Sequence, residues 1–292
     1  MIYPSTFSIV AYDPQEQTWG IAVASKFLAV GSVVPWAKAG IGAVATQSYA
    51  NTSFGPHGLD LMGEGLSASQ ALERLLSDDP DREQRQVGLV DQRGGSATFT
   101  GKSCYAWAGG VTGPNFAAQG NILASEQVVN AVAETFTKTN GNLPKRLHAA
   151  ILAGDRAGGD RRGRQSAAIL VVKAKGGYGG FNDRWVDYRV DDHPDPVLRL
   201  GELLNLHELY FGKSDENDHI PLEGEVLRQL QLIMIRLGYY HSEPSGTYDE
   251  KTRTALRAFL GNENFEERVD FQTGQIDKPV YDHILRQYQV DR

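Results

Sequence analysis

The sequence has one cysteine, Cys104, and no hydrophobic run long enough to cross a bilayer. A single cysteine excludes an intramolecular disulfide and any zinc site built from several thiolates. A membrane-spanning helix needs about 18 to 20 consecutive apolar residues, so we predict no transmembrane segment. Residues 1–6 lack the basic start and the leucine-rich core of a secretory signal, and we therefore expect a cytoplasmic protein.

An excess of positive charge is also missing. The chain has 36 acidic and 29 basic side chains, a net charge of −7, and acidic residues outnumber basic ones on both sides of residue 213. Proteins that bind nucleic-acid phosphates usually carry a basic surface, so we expect no nucleic-acid partner. The seven histidines show no spacing typical of a metal site, and we expect neither a metal nor another cofactor.

Strands and helices come in separate blocks along the first 200 residues. Alternation of side chains predicts strands at 6–12 and 19–25, and apolar spacings of three and four predict helices at 121–138 and 144–153. Further strands are predicted at 42–48, 86–91, 97–100, 103–108, 166–172 and 185–190, and further helices at 58–62, 67–76 and 197–210. Separate blocks favour the α+β class, and we predict four stacked layers with helices outside and two sheets inside.

A proline-rich stretch at 191–196 ends this body, and a polar stretch at 212–219 has the composition of a linker. Three more helices are predicted beyond it, at 223–237, 249–260 and 278–289. Gly238 suits the end of the first of these helices, and Asp249 suits the start of the second. We therefore predict two domains, residues 1–212 and residues 213–292, of which the second is a small three-helix, all-α domain.

The tail resembles the three-helix type of peptidoglycan-binding domain. The resemblance rests on Leu-Gly-Tyr-Tyr at 237–240, a glycine turn, and Lys-Thr at 251–252 before an apolar helix. Ser245, Asp249 and Leu260 stand where the family usually has Asp, Gly and Gln. The resemblance implies a glycan partner. A role in dimerisation or as a lid is the alternative, and the same residues would also serve simply to hold three helices together. We expect a homodimer.

The body resembles a second family. The stretches that carry this resemblance are 6–11, 23–36, 39–47, 51–58, 119–121 and 158–166. Together they resemble the DUF1028 family, a family of unknown function that is placed among the Ntn-hydrolase-like folds. The resemblance extends from Thr6 to Leu204 and implies a four-layer αββα sandwich, in agreement with the order of the predicted elements. A peptidoglycan-binding-like tail is a known companion of this body.

The resemblance also implies a chemistry. Ntn hydrolases use a Thr, Ser or Cys at the start of the first strand as nucleophile, and its own α-amine as base. Such an amine has a pKa of about 7.7–8.0, so part of it is neutral near pH 7. Thr6 takes that place here, but five residues precede it, so the Ser5–Thr6 bond would have to be cut. An uncut precursor, another nucleophile such as Ser8 or Ser25, and the absence of hydrolase chemistry remain three alternatives.

Other residues in the matching stretches are candidates for the site. Ser25 follows a predicted strand and precedes Lys26, which would place a cation beside its hydroxyl. Asn121 precedes a predicted helix, where amide donors and free N–H groups can meet an oxyanion, although it also suits a plain helix cap. Arg161 lies in a glycine-rich loop whose arginines could bind a carboxylate or could simply be solvated.

We take Thr6, Ser25 and Asn121 as candidate catalytic residues. Candidate substrate-binding residues are Gln47, Asn51, His57, Gln119, Asp160 and Arg161. The function expected from these residues is an amide-bond hydrolase that acts on an unknown small amide or peptide-like substrate. The alternative is a non-catalytic protein that binds a small ligand or a glycan, with a C-terminal module that mediates binding or dimerisation.

Overall fold

The computed structural model describes residues 6–212 and 218–288. The predictions for residues 1–5, for most of the linker and for the last residue of the third tail helix lie outside the described residues, and the domain boundary at 212/213 stays a prediction. The chain divides into two compact units, the first ending at Leu204 and the second beginning at Asn205. Within the described ranges, no helix is both long and apolar enough to span a membrane.

The first unit contains two antiparallel sheets. Its strands are β1 Thr6–Asp13, β2 Thr18–Ser25, β3 Pro35–Lys38, β4 Gly42–Ser48, β5 Arg85–Asp91, β6 Ser96–Thr100, β7 Gly109–Gly113, β8 Phe116–Asn121, β9 Ser166–Lys173 and β10 Arg184–Val190. One sheet has the strand order β10-β9-β2-β1-β8-β7, and the other has the order β3-β4-β5-β6. The prediction of a mixed fold of helices and strands is therefore confirmed, and the sheets are antiparallel.

Helices cover these sheets. They are α1 Phe54–Gly63, α2 Ala68–Ser77, α3 Gln127–Lys138, α4 Leu143–Arg156 and α5 Pro196–Phe211, of which α5 continues into the second unit. Two of the helix starts have side-chain caps. Ser67 and Gln70 form a reciprocal capping box at α2, and Asn142 accepts the N–H of Lys145 at α4.

The alternation of side chains on β1 shows how the sheets pack. Phe7 and Ile9 point to one face, where they join a hydrophobic cluster with residues of α3 and α4. Val10 points to the other face, where its cluster includes Ala43 of the four-stranded sheet. The opposite face of that second sheet packs on α1 and α2 through residues such as Val44. Successive strand residues alternate between faces, so the even-numbered positions of β1 look into the space between the sheets.

Two predictions for the region before α3 are wrong. Residues 103–108 form turns rather than a strand. The helix predicted from residue 121 begins only at Gln127, because Phe116–Asn121 is strand β8, which contains both Gln119 and Asn121. All six residues of β8 are buried. A strand buried on both faces lacks polar–apolar alternation, which is why the sequence pattern does not reveal it.

The second unit has three predicted helices and three short strands. The helices are α6 Gly224–Arg236, α7 Glu250–Asn262 and α8 Lys278–Gln287, and the strands are β11 His219–Pro221, β12 Val269–Asp270 and β13 Gln275–Asp277. Strands of two or three residues are too short to show alternation, so the all-α expectation misses them. Gly238 follows α6 with a φ of 82°, and the Asp249 carboxylate accepts the N–H of Thr252 at 2.8 Å, both as the sequence indicates.

Helix α1 offers a test of the packing on the four-stranded sheet. A Cβ at Gly55 would lie 2.2 Å from the Trp36 ring, whereas a Cβ at Gly63 would lie 3.4 Å from Ile41, an ordinary contact. We expect Gly55→Ala to destabilise the protein by about 1 to 3 kcal/mol through overpacking. Gly63→Ala should be neutral or stabilising by up to about 1 kcal/mol, because alanine favours helix. Thermal unfolding of both variants checks this, and equal effects would contradict the described packing.

Candidate functional site

Four polar residues form one row across the end of the six-stranded sheet. Thr6 of β1 lies opposite both Ser25 of β2 and Asn121 of β8, and Ser25 lies opposite Ser166 of β9. Residues that face each other in an antiparallel pair point to the same side, here the space between the sheets. All four are buried, and the hydroxyls of Thr6 and Ser25 are 3.2 Å apart. The structure therefore brings the three candidate catalytic residues together.

A second layer of side chains connects this row to the other sheet. The Ser8 hydroxyl donates to Gln47 Oε1 at 2.6 Å, and Gln119 Nε2 donates to Ser8 Oγ at 2.7 Å. Gln47 Nε2 lies 3.3 Å from the Thr6 carbonyl and 2.8 Å from Gln86 Oε1. Buried polar groups are costly unless they are hydrogen-bonded, and this network satisfies them across the gap between the sheets.

The carboxamide of Gln86 fixes the orientation of Asn121. Gln86 Nε2 donates to the backbone carbonyls of Gly120 at 2.7 Å and Gly109 at 3.2 Å. A carbonyl can only accept, so Gln86 Oε1 must point the other way, where it accepts from Asn121 Nδ2 at 2.9 Å. The same reasoning applies to Gln47, whose Nε2 faces the Thr6 carbonyl. Main-chain carbonyls thus determine which way these amides point.

The glycine-rich loop reaches the same end of the sheet. Asp160 accepts the backbone N–H of Lys26 at 2.6 Å and pairs with Arg162 at 3.1 Å. The backbone N–H of Arg161 donates to the carbonyl of Ile122, the residue after Asn121, at 3.0 Å. The Arg161 side chain is exposed and makes no ion pair within the described ranges. Asp160 therefore organises the loop, while Arg161 presents its guanidinium to solvent.

Strained backbone surrounds the row. Ile122 has a φ of 51°, a left-handed conformation that β-branched residues rarely adopt. Its N–H donates to the carbonyl of Tyr105 at 2.9 Å while its carbonyl accepts from Arg161, so it holds two loops at the end of β8. Ser48, which follows Gln47, has a φ of 68°. Such strain persists where the surroundings impose it and is often concentrated at functional sites.

Two candidate residues lie elsewhere. His57 is exposed on α1, which packs on the opposite face of the four-stranded sheet. Asn51 accepts the N–H of Ser53 at 3.2 Å and lies 3.4 Å from Asp79, so it shapes the turn before α1. The hydrogen bond from Arg85 holds the pKa of Asp79 below its ordinary value. The structure does not join these two candidates to the row.

Sequence reasoning missed two residues of the site. Ser166 starts β9 and extends the row, where its hydroxyl donates to the Phe27 carbonyl at 2.5 Å and accepts the N–H of Val30 at 3.1 Å. Gln86 lies at the centre of the amide network. Both residues begin or nearly begin strands that the sequence predicts. A polar residue at or next to the first position of a predicted buried strand is the sequence signal that could have identified both.

The comparisons with known proteins agree with the sequence resemblance. Residues 6–200 match the model of the family of unknown function DUF1028, so the chain belongs to that family. Residues 210–284 match the model of a peptidoglycan-binding-like domain. The crystal structure of a DUF1028 protein from Silicibacter pomeroyi is 30% identical, with a TM-score of 0.64, and the match covers 73% of this chain and 92% of that one. No curated protein matches.

Replacing Gln86 by a carboxylate tests the orientation of the network. Gln86→Glu puts an acceptor against the carbonyls of Gly109 and Gly120, and we expect a loss of about 2 to 3 kcal/mol at pH 7. Folding disfavours the charged form and raises the pKa of the new carboxyl. The loss should therefore be small below its unfolded pKa of about 4.3 and should grow as the pH rises through the folded pKa.

Urea unfolding at several pH values measures this change. Gln92→Glu is the matched control, because Gln92 is exposed in the turn between β5 and β6. The control should follow the parent protein at every pH. Equal stability of Gln86→Glu and the parent at pH 7 would contradict the hydrogen-bond assignment.

Proposed function

We propose that the first unit is an Ntn-type amide-bond hydrolase in which Thr6 is the nucleophile once the Ser5–Thr6 bond has been cut. The observation that carries this proposal is the position of Thr6 as first residue of the central strand β1, with its hydroxyl in a buried polar row. The packing of two helix pairs on two facing sheets supports the further proposal of a four-layer αββα sandwich. Membership of DUF1028 is consistent with this fold.

The chemistry would use one residue as both nucleophile and base. The freed α-amine of Thr6 takes the proton from Thr6 Oγ1 as this oxygen attacks the amide carbon. The tetrahedral intermediate collapses as the amine passes that proton to the leaving nitrogen. Water, activated by the same amine, then hydrolyses the ester and regenerates the hydroxyl. Because Thr6 is fully buried, this reaction requires the end of the sheet to open to substrate.

Neighbouring residues would assist in distinct ways. Ser25 lies 3.2 Å from the Thr6 hydroxyl and would orient it. Asn121 Nδ2 donates one of its N–H groups to Gln86 Oε1, and its second N–H would be the preorganised donor that oxyanion stabilisation requires. Gln47 and Gln119 hold the backbone and side chains around Thr6 in place. We assign no substrate contact to His57 or Asn51, because neither residue is joined to the polar row that contains Thr6.

The exposed guanidinium of Arg161 is the group best suited to bind the substrate. It lies in the loop that bonds to the residue after Asn121, and it has no ion-pair partner in the described part of the chain. Arginine binds carboxylates through two parallel hydrogen bonds. In this proposal the small amide or peptide-like substrate carries a carboxylate that Arg161 contacts, and Asp160 fixes the loop that presents it.

Substitutions of Thr6 test the assignment of the nucleophile. On a panel of N-acyl amino acids and dipeptides, we expect Thr6→Ala to lower kcat/KM by at least about a thousandfold, because the attacking oxygen is lost. Thr6→Ser keeps the oxygen and should retain activity. Thr18→Ala is the matched control, since Thr18 is a buried strand threonine at the opposite end of β2 whose hydroxyl has no protein partner among the described residues. Full activity of Thr6→Ala would overturn the proposal.

Glycan binding by the second unit is a second candidate function. Its supporting observation is the match to a peptidoglycan-binding-like domain, together with a groove of about 780 Å³ in the same unit. Glu223, Thr247, Tyr248 and Thr273 are among the residues that line this groove. Hydroxyls, a carboxylate and an aromatic ring are groups that can hydrogen-bond to and stack on sugars.

We also propose that the protein is a homodimer, as predicted from the sequence. Measuring the particle mass in solution tests this.

Retention on purified peptidoglycan checks the glycan proposal. We expect the full chain to sediment with insoluble peptidoglycan and Tyr248→Ala to lose most of this retention, because the groove loses its ring. Thr254→Ala is the control, since Thr254 is exposed on α7 and is not among the residues that line the groove. Equal retention of both variants, or no retention of the parent, would remove this function.

A further inference from the structure

The first unit has two adjacent sheet edges that do not pair with each other. β6 is the edge of the four-stranded sheet and β7 is the edge of the six-stranded sheet. The two strands lie side by side, and the Ser96 hydroxyl donates to the Gly113 carbonyl at 2.9 Å. No backbone hydrogen bond joins β6 to β7, both of which lie wholly within the described ranges. Each strand therefore presents unpaired backbone groups along its outer side.

The register identifies the outward groups of β7. Gly113 and Phe116 face each other across the turn to β8 and form the closing pair of the hairpin. Because hydrogen-bonded and non-hydrogen-bonded pairs alternate in an antiparallel ladder, Gly110 and Thr112 direct their N–H and C=O groups away from β8. Both residues are exposed. These two residues offer two donors and two acceptors to an incoming strand.

The same alternation applies to β6. The bond from the Gly101 N–H to the Arg85 carbonyl, at 3.0 Å, sets the phase of the ladder between β5 and β6. Ser96 and Thr98 consequently turn their backbone groups away from β5. These two residues line the same groove as the two outward residues of β7. The unpaired backbone groups of both edges therefore meet at one place.

The composition of β7 leaves this edge open. Its sequence is Gly-Gly-Val-Thr-Gly, with no charged residue and no proline. Natural edge strands are usually protected by lysine, proline, a bulge or a covering element. A Cβ at Gly109, Gly110 or Gly113 would lie 2.4 to 2.9 Å from a neighbouring side chain, so these glycines make room for the chain's own packing. What leaves the edge of β7 unprotected is the absence of charge and proline.

The groove has a volume and a charge that suit a peptide. It measures about 520 Å³, within the range of about 300 to 1,000 Å³ typical of ligand sites. Leu72 and Leu76 of α2 form an apolar wall, and Glu73 lies between them in sequence. Glu73 is exposed and has no ion-pair partner in the described part of the chain. An ammonium side chain would complement this carboxylate.

Hydrogen bonds connect the groove with the start of β1. The hydroxyl of Thr98, a groove residue, lies 3.1 Å from the Val87 carbonyl and 3.3 Å from Gln119 Oε1, and Gln119 Nε2 donates to Ser8 Oγ at 2.7 Å. Ser8 donates to Gln47 Oε1 at 2.6 Å, and Gln47 Nε2 donates to the Thr6 carbonyl at 3.3 Å. Groups at the groove thus contact the network that holds Thr6.

We propose that this groove binds an extended peptide, which adds a strand to β7 through Gly110 and Thr112 and places an ammonium side chain beside Glu73. Peptide binding at the groove does not depend on the proposed hydrolase function. Only the identification of that peptide as the substrate rests on it. Main-chain hydrogen bonds to the edge give affinity in this mode of recognition, and pockets for alternate side chains give selectivity. The substrate class is then an extended peptide with a basic residue.

Fluorescence anisotropy with full-length Thr6→Ala protein measures binding without cleavage. The probe is fluorescein-labelled acetyl-Ala-Val-Lys-Val-Ala-amide, and a backbone N-methylated version of it cannot pair with an edge. We expect N-methylation to weaken binding by at least about fivefold, since each lost hydrogen bond is worth about 1 kcal/mol. Thr112→Pro removes the outward N–H and should weaken binding similarly, whereas the matched Thr112→Val keeps the backbone and should bind normally.

The contribution of Glu73 has its own comparison. Replacing lysine by norleucine in the probe should weaken binding by about threefold, and this difference should disappear in Glu73→Gln. Equal affinity for the N-methylated probe would overturn the inference, and this comparison needs no change in the groove, because both probes meet the same Thr6→Ala protein. A change of particle mass from dimer to monomer in Thr112→Pro, without peptide binding, would identify a second copy as the occupant and would also overturn it.

The two proposals can fail separately. If the probe binds as expected but Thr6→Ala leaves amide hydrolysis unchanged, the hydrolase proposal fails and the peptide groove stands. If small amides are cleaved by way of Thr6 but no probe binds, the groove proposal fails alone.

Discussion

The side-chain amide of Gln86 lies within hydrogen-bond distance of five partners in the space between the two sheets. It extends from β5 of the four-stranded sheet to the carbonyls of Gly109 and Gly120 in the six-stranded sheet. A buried amide without such partners would cost about 1 to 3 kcal/mol for each lost interaction. This interaction joins the sheets at the end where Thr6, Ser25 and Asn121 lie, so the geometry of the candidate site depends on it.

Close packing supports the same network. A Cβ at Gly88 of β5 would lie 2.2 Å from Gln119 Oε1, so a glycine at this position lets the Gln119 amide fit between the sheets. Gln119 in turn donates to Ser8, whose hydroxyl donates to Gln47. Interiors packed at this density transmit changes from one residue to the next. The network therefore behaves as one unit, and the site cannot be altered at one amide without affecting the others.

Local patterns predicted part of this site, and packing determined the rest. Alternation predicts strands β1 and β2, and their antiparallel pairing places Thr6 opposite Ser25. The strand that carries Asn121 was not predicted, because a wholly buried strand of small residues shows no alternation. The bond from Asn121 to Gln86 joins residues 35 positions apart on different sheets. No periodicity within one strand encodes which residue of the opposite sheet it will face.

The intact mass of the freshly purified protein tests the central claim most directly. We predict a chain that begins at Thr6, with amide hydrolysis that appears only when the Ser5–Thr6 bond has been cut. Thr6→Ala should remain inactive, because it lacks the oxygen that attacks the amide. A protein that keeps the Ser5–Thr6 bond and still hydrolyses amides at full rate would contradict the role of Thr6 as an N-terminal nucleophile.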